Sequence, residues 1–468
     1  MPFSSHSGKI RLGGPILSAK VVPMARESIR IGSGAGFSGD RIDPAVALAQ
    51  HGKLDYLVFE CLAERTIALA AQARRHDPEN GYDPLLQERL SAVLPAAAAN
   101  KVKIISNMGA ANPVAAARAT AAIARKLGAG PLRVAAITGD DVLASISDAS
   151  RLLEGGTVAE WPGELIAANA YMGAEPLVQA LAGGADIVIT GRVADPSLFL
   201  APMAHAFGWS WQDWHRLGQG TVVGHLLECA GQVSGGYFAD PGFKDVAGLA
   251  DLGFPFADVT ANGEAVISKL HGSGGCITEA TCKEQLLYEL HDPAAYLTPD
   301  VTADFRGVRF DKRGEDMVAV SGGSGTARPE QLKVTLGFHE GYVGEGQISY
   351  AGPGCVARGQ LALGIVEERL KRLGKDVIEL RLDMIGVNTV APNAIAPADQ
   401  CEVRARIAAR ARTPEGAVQV GREVEALYTN GPAGGGGATY FVKPIIAVAS
   451  TLLSRDAIIP RLQWEIVQ

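Results

Sequence analysis

The chain carries little charge and does not cluster it. Lys and Arg number 43 against 50 Asp and Glu, only 20% of the residues are charged, and the net charge is −7. Without a basic cluster there is no electrostatic footprint for a phosphate backbone, so neither DNA nor RNA is expected as a partner. Long apolar runs are missing too. No stretch approaches the roughly 18 uninterrupted apolar residues that span a bilayer, so no membrane partner is expected. The first residues, Met1 to Lys20, mix Ser, Gly, Pro and Lys and lack the apolar segment of a secretory signal, which makes the cytoplasm the expected location. Cys61, Cys229, Cys276, Cys282, Cys355 and Cys401 are scattered with no C-x-x-C pair. That spacing argues against a zinc ribbon and a disulfide framework, and the thiols are expected to be reduced. H-E-x-x-H, P-loop lysine and G-x-S-x-G elements are absent, as is any solenoid-type repeat.

Apolar residues and glycine fill the space. At 47% hydrophobic over 468 residues there is ample material for a large core, and the 56 glycines and 25 prolines fall in short clusters between apolar runs. That is loop punctuation rather than disorder. From Ser28 to about Phe207 short β-type runs alternate with Ala-rich helical stretches. The predicted strands are Ile29–Ser33, Tyr56–Glu60, Val102–Ser106, Arg133–Thr138, Leu165–Ala168 and Ile187–Thr190. Between them come helices at Glu64–Arg75, Leu85–Ala99, Pro113–Leu127 and Val142–Glu154. This alternation predicts an α/β protein whose βα repeats build a parallel sheet. Open, doubly wound sheets and βα barrels alternate in the same way; a count of six strands favours the open sheet. Past Trp209, Trp211 and Trp214 the alternation fades. The expected division is a tail at 1–25, a βα-repeat domain at 26–245 and a second α/β or α+β domain at 246–468. In the second half, extended segments are expected at Ala265–Leu270, Leu332–Phe338, Gln347–Tyr350 and Val377–Met384, with helices at Thr278–Leu290 and Val356–Leu373.

Gly34-Ala-Gly36-Phe-Ser-Gly39 matches G-x-G-x-x-G after a strand, and Glu60 closes the next strand 21 residues on. By pattern this is a dinucleotide fingerprint. Physically it fits badly: Asp40 would oppose a bound phosphate, and Asp43-Pro44 reads as a helix start beyond the motif. No NAD is expected. The alternative is a tight loop in which Gly36, Asp40 and Arg41 face a substrate. Ligands of open parallel sheets sit at the carboxyl ends of the strands, and there the sequence places Asp40, Glu60, Asn107, Asp140 with Asp141, Asn169, and Arg192 with Asp195. Carboxylates suit proton transfer or a divalent metal, and an arginine suits a substrate carboxylate. The competing reading is that Asp140, Asp195 and Asn112 merely cap the helices that follow.

Two glycine turns echo one another, His271-Gly272-Ser273-Gly274-Gly275-Cys276 and Tyr350-Ala-Gly-Pro-Gly-Cys355. Each is expected to follow a strand, lead into a helix and aim backbone N–H groups at an anion such as a carboxylate, a thioester oxyanion or a coenzyme A phosphate. His271 is then an acid or base, and Cys276 either a nucleophile or a small buried hydrophobe. His225 and Glu228, three apart on a helix, either share a metal or form a core histidine bonded to its neighbouring acid. The glycine clusters Ser321–Gly325 and Gly431–Gly437 read equally well as anion nests, mobile lids or hairpin turns.

Gly34-Ala-Gly-Phe-Ser-Gly-Asp-Arg41, Phe59-Glu-Cys-Leu-Ala-Glu64, Ser106-Asn-Met-Gly-Ala-Ala-Asn-Pro113, Ile189-Thr-Gly-Arg-Val-Ala-Asp195, Gly224-His-Leu-Leu-Glu-Cys229 and His271-Gly-Ser-Gly-Gly-Cys276 occur in that order. Together they resemble the acyclic terpene utilization AtuA family, from about Ser28 to about Arg455. The resemblance implies a catabolic setting, the degradation of citronellol and geraniol through coenzyme A thioesters, without implying a reaction. Many relatives carry a further ferredoxin-like domain of about a hundred residues at the C-terminus. For this chain that implies either a separate small ferredoxin-like companion subunit or a different substrate, such as a smaller branched or unsaturated acid. From residues and resemblance together, the expected activity is a hydratase or C–C lyase acting on a small carboxylic acid or its coenzyme A thioester. Asp40, Glu60, Asp140, His271 and Cys276 are the expected catalytic groups. Gly36, Arg41, Asn107, Asn169, Arg192, Asp195 and the 272–275 turn are the expected binding groups, and the chain is expected to form a homo-oligomer. The alternative is a non-catalytic subunit that binds and presents an acyl substrate.

Overall fold

The computed structural model describes residues 27–373, 376–390 and 400–468; the expected tail at 1–25 lies outside them. Five strands form the parallel centre of a ten-stranded sheet: β1 (Ser28–Ala35), β2 (Tyr56–Phe59), β3 (Lys103–Ser106), β4 (Leu132–Thr138) and, after β5 (Glu164–Ala170) has left for another sheet, β6 (Ile187–Thr190). They lie in the order β1-β2-β3-β6-β4. The sheet is open, with no closed barrel, as six strands suggested. Side chains alternate across it: Tyr56 and Val58 of β2 enter one core, Leu57 and Phe59 the other. The helices α1 (Asp43–His51), α2 (Glu64–His76), α3 (Leu86–Ala99), α4 (Pro113–Leu127) and α5 (Glu175–Ala182) alternate with these strands, and α6 (Asp195–Phe207) and α7 (Trp214–Glu228) follow β6. Of these, α1, α3 and α4 cover one face of the sheet, and α5, α6 and α7 cover the other.

The sheet is extended at both edges by strands from the second half of the chain. β7 (Pro255–Thr260) lies antiparallel to β1, and β8 (Ala265–Lys269) antiparallel to β7, so β8 runs in the direction of β1. Helix α8 (Glu279–Leu287) follows, then a small sheet of β9 (Tyr296–Leu297), β10 (Thr302–Asp304) and β13 (Ser324–Thr326), while β11 (Arg309–Gly314) and β12 (Met317–Ser321) finish one edge of the large sheet. A third sheet is built on β14 (Gln331–Ala351), which unites the two extended segments expected at 332–338 and 347–350. It pairs with β16 (Glu402–Ala411) and β17 (Gly436–Ser454), and β15 (Val377–Ile385) completes that edge. Helices α9 (Cys355–Leu373) and α10 (Pro414–Glu425) pack on it, and β18 (Arg461–Val467) returns to the large sheet beside β4. No helix among the described residues is long and apolar enough to cross a membrane.

Two expectations fail, one for a local reason and one for a distant pairing. The helix expected at 142–154 is a single short turn, Leu143–Ser145. Asp141 accepts the Leu143 N–H, and the Ser150 hydroxyl accepts the Ser147 N–H, so short polar side chains take the backbone groups a helix needs. The expected fifth strand of the parallel sheet, 165–168, is β5, which pairs antiparallel with β14 instead. It still returns Asn169 to the site, through a bridge to Asp141.

Candidate functional site

β1, β2, β3, β6 and β4 end on one rim, and the loops that follow them supply the polar groups. After β1, the Asp40 carboxylate accepts the N–H of Gly36 and of Arg41, both at 2.9 Å. Asp40 thus closes its own loop and takes the N–H groups that a phosphate would need; α1 begins only at Asp43. Arg41 turns to the carbonyl of Ala250, 2.9 Å away. Beneath the loop lies Arg89, fully buried, whose Nη2 donates to the carbonyls of Ser38 (2.9 Å) and Asp40 (3.3 Å). Gly36 is there because nothing larger fits: a Cβ would stand 2.5 Å from the backbone carbon of Cys229 at the end of α7. Gly36→Ala is expected to cost about 1–3 kcal/mol by forcing loop and helix apart, measurable as a lowered denaturation midpoint. An unchanged midpoint would mean that the contact yields freely.

After β2 and β3, Glu60 and Asn107 interlock. Glu60 Oε1 accepts from Asn107 Nδ2 (2.9 Å) and the Leu62 N–H (2.8 Å), while Asn107 Oδ1 accepts the Cys61 N–H at 2.7 Å. After β4, Asp140 Oδ2 accepts from Asn169 Nδ2 and from the Arg192 N–H, each at 2.9 Å. A Cβ on Gly191 would lie 2.6 Å from that carboxylate, so glycine at 191 lets the two loops meet. Asp140 is therefore a bridge between strands rather than a helix cap, and burial pushes its carboxyl up to about 6. Asn112, by contrast, does cap α4, accepting the Ala115 N–H.

Arg192, 1% exposed, is the hub. Its Nη1 donates to the Leu62 carbonyl, its Nη2 to Asp195, and its guanidinium lies 4.3 Å from the Tyr171 ring centre; among the described residues its buried Nε has no partner. Tyr171 donates its hydroxyl to Glu64, which Lys333 also approaches at 3.3 Å. Around this one guanidinium the acids differ sharply. Burial, and then the charge of Asp195, push Glu60 well above the usual carboxylate range, against the pull of Arg192. Burial drives Asp195 up to about 7, with Arg192 opposing and Glu228 and Glu64 adding to the rise. For Glu64 burial works the same way, but the Tyr171 hydroxyl and the Arg192 charge outweigh it and hold the carboxyl at about 2. Asp195 is the first residue of α6 and caps nothing; a third of its side chain remains open to solvent.

Helix α7 closes the floor. His225 Nδ1 lies 2.7 Å from Glu228 Oε1, and its Nε2 lies 3.2 Å from the Leu286 carbonyl. Both ring nitrogens face acceptors, which favours the imidazolium. Burial opposes that charge, but Glu228 prevails and raises the histidine. This is a buried histidine–acid pair, with both ring nitrogens engaged; no group of three or more His, Cys, Asp or Glu that could hold a metal occurs among the described residues. Among the described residues Glu228 Oε2 has no hydrogen-bond partner.

The turn 271–276 reaches the same rim at the end of β8, but its donors are spent. Ser273, Gly274, Gly275 and Cys276 give their N–H groups to the carbonyls of Leu270, Asp251, Ala247 and Ser234. The helix behind it starts only at Glu279, where the Thr278 hydroxyl caps it by accepting the Thr281 N–H. His271 and Gly272 are exposed, and burial and Asp316 raise the Cys276 thiol, opposite to what a nucleophile requires. The second turn does open α9 at Cys355, as expected, but far along the chain in the third sheet. All six cysteines are free thiols. Sequence reasoning missed Glu64, Tyr171 and Lys333. Glu64 stood in view as the opening residue of α2; Tyr171 and Lys333 arrive only because β5 crosses to β14, where the Tyr171 N–H bonds the Lys333 carbonyl at 2.9 Å.

The molecule is thus an open-sheet α/β protein with a buried, acid-rich site on the carboxyl rim of its parallel strands. The model of the acyclic terpene utilisation family protein AtuA matches residues 29–464, and the chain belongs to that family. No curated protein and no solved structure matches it.

Proposed function

We propose that the chain is a catabolic enzyme that adds water to, or removes it from, a small unsaturated, branched or hydroxy carboxylic acid or its coenzyme A thioester. The observation that carries this reading is the pair Glu60 and Asp195, two carboxyls beside one arginine, Asp195 raised to about 7 by burial and Glu60 raised well above the usual carboxylate range by burial and the Asp195 charge. Such a pair holds a proton at one member while the other is ionised, which is the state required of a general acid and a general base. In dehydration of a 3-hydroxyacyl group, the ionised member takes the proton from C2. The protonated member gives its proton to the departing hydroxyl, and the pair ends with its proton exchanged. Lys333, nearly half exposed and paired with Glu64 at 3.3 Å, is the cation a substrate's anionic end could meet, whereas the fork of Arg192 is taken by Leu62 and Asp195.

The test incubates the purified chain, with and without divalent metal, with unsaturated and hydroxy acids and their thioesters, and follows product mass. Gain or loss of one water supports the proposal. No mass change under any condition, with an acyl ligand retained, favours a subunit that only binds its acyl group; the occupied Arg192 fork and the spent donors of the 271–276 turn are the observations on that side.

A further inference from the structure

A cavity of about 270 Å3 lies between the large sheet and the β14–β17 ladder, and none of its lining residues belongs to the acid cluster. Its wall includes Met172, Gly173, Glu175, Asp300, Arg328 and Arg455. Neighbours in an extended segment point to opposite sides, so Tyr171 stacks on Arg192 while Met172, bridged to Val193, lines the cavity.

Two arginines meet here because of strand register. Gln331 of β14 pairs with Ser454 of β17, which sets Arg328, just before one strand, beside Arg455, just after the other. Arg455 is half-buried, and among the described residues it has no carboxylate within 4 Å. Its Nη2 is fixed by the carbonyls of Pro299 (2.7 Å) and Pro329 (3.0 Å). Arg328 has one carboxylate, Glu175, at 3.5 Å with nearly half its side chain in solvent. The remaining acid, Asp300, is 2% exposed, but both its oxygens are committed elsewhere, to the Ala174 N–H at 2.8 Å and the Ser197 hydroxyl at 2.6 Å. Burial, followed by the charge of Arg328, makes Arg455 easier to deprotonate than a free arginine. The Asp300 and Glu175 charges are felt by Arg455, but neither carboxylate reaches it, and two guanidiniums over one open cavity are a geometry suited to an anion.

We propose that this cavity is a second binding site, distinct from the acid cluster, that takes a small carboxylate or phosphate anion between Arg328 and Arg455. The test is calorimetric titration of the full chain at constant ionic strength with inorganic phosphate and, separately, with malonate, with chloride as the control. Saturable heat with either anion is expected. Phosphate alone would identify a phosphorylated ligand, malonate alone an organic acid, and each supports the site. Arg328→Gln, which breaks only the long contact to Glu175, should weaken binding about tenfold or more. Arg455→Gln should do the same, with circular dichroism confirming that the fold persists. Heat no larger than chloride's, or affinity unchanged in both variants, overturns the proposal. The readout is binding alone, so it stands or falls separately from the reaction assigned to Glu60 and Asp195.

Discussion

Arg192→Met is expected to destabilise the fold by about 3–5 kcal/mol, the range for removing one partner from a buried charge network. The size comes from what is left behind rather than from the arginine's own bonds. Arg192 is the guanidinium that Glu60, Glu64 and Asp195 share. Methionine fills much of the volume but supplies no charge and no donor to the Leu62 carbonyl. The loss should depend on pH, and the sign follows from the acids. Without the cation, Glu60 and Asp195 rise further, so protonating them relieves the repulsion. The deficit should therefore shrink between pH 8 and pH 5. Denaturant midpoints of the variant and the parent chain at those two pH values check it. A deficit equal at both, or below 1 kcal/mol, would show that the acids do not depend on Arg192.

The parallel sheet and the rim were legible because both rest on local signals. Pro113 after Asn112, and Gly128 after Leu127, punctuate α4, which occupies the residues expected. Where a strand ends is equally local, so Glu60, Asn107, Asp140 and Arg192 could be placed on one edge before their neighbours were known. Which sheet a strand joins is not local. β5 has the apolar run of a parallel strand, yet the pairing of Asn169 with Thr335, 166 residues away, decides its place. The glycine turn at 271–276 misled for a related reason. Glycines announce that backbone can come close to something, and here that something is other backbone: a Cβ on Gly274 would lie 1.8 Å from the Gly248 carbonyl oxygen. Composition cannot distinguish a turn that cradles a ligand from one that cradles its own chain. The charge state of the site was equally out of reach, since Glu60 and Glu64 are four residues apart with opposite shifts. The depth of burial and the Asp195 charge on one side, and the Tyr171 hydroxyl and the Arg192 and Lys333 charges on the other, separate them.

Asp195→Asn is expected to lower turnover by about 10²–10⁴-fold, the usual contribution of a positioned acid or base, while leaving the fold in place. The asparagine oxygen can still accept from Arg192 Nη2, so the helix start and the guanidinium keep their geometry. What disappears is a proton that can be exchanged near neutrality. Glu60→Gln should cause a comparable loss. The double variant should lose little more than either single one, because the two carboxyls act as one unit. The pH profile separates this from a merely structural effect. In the parent chain the rate should be bell-shaped, falling in acid as the second carboxyl of the pair gains its proton and in alkali as the pair loses its last one. Asp195→Asn should abolish one limb instead of scaling the whole curve. Stability gives an independent sign. A carboxyl raised in the folded state binds its proton more tightly there than in the unfolded chain, so its stabilising effect is lost as the pH rises from about 4 through about 7. The asparagine variant lacks that loss, and its stability relative to the parent should therefore improve over that interval. If instead the variant kept its turnover, or its deficit grew with pH, Asp195 would be an ordinary ion-pair partner of Arg192, and the proton transfer would have to be assigned elsewhere on the rim.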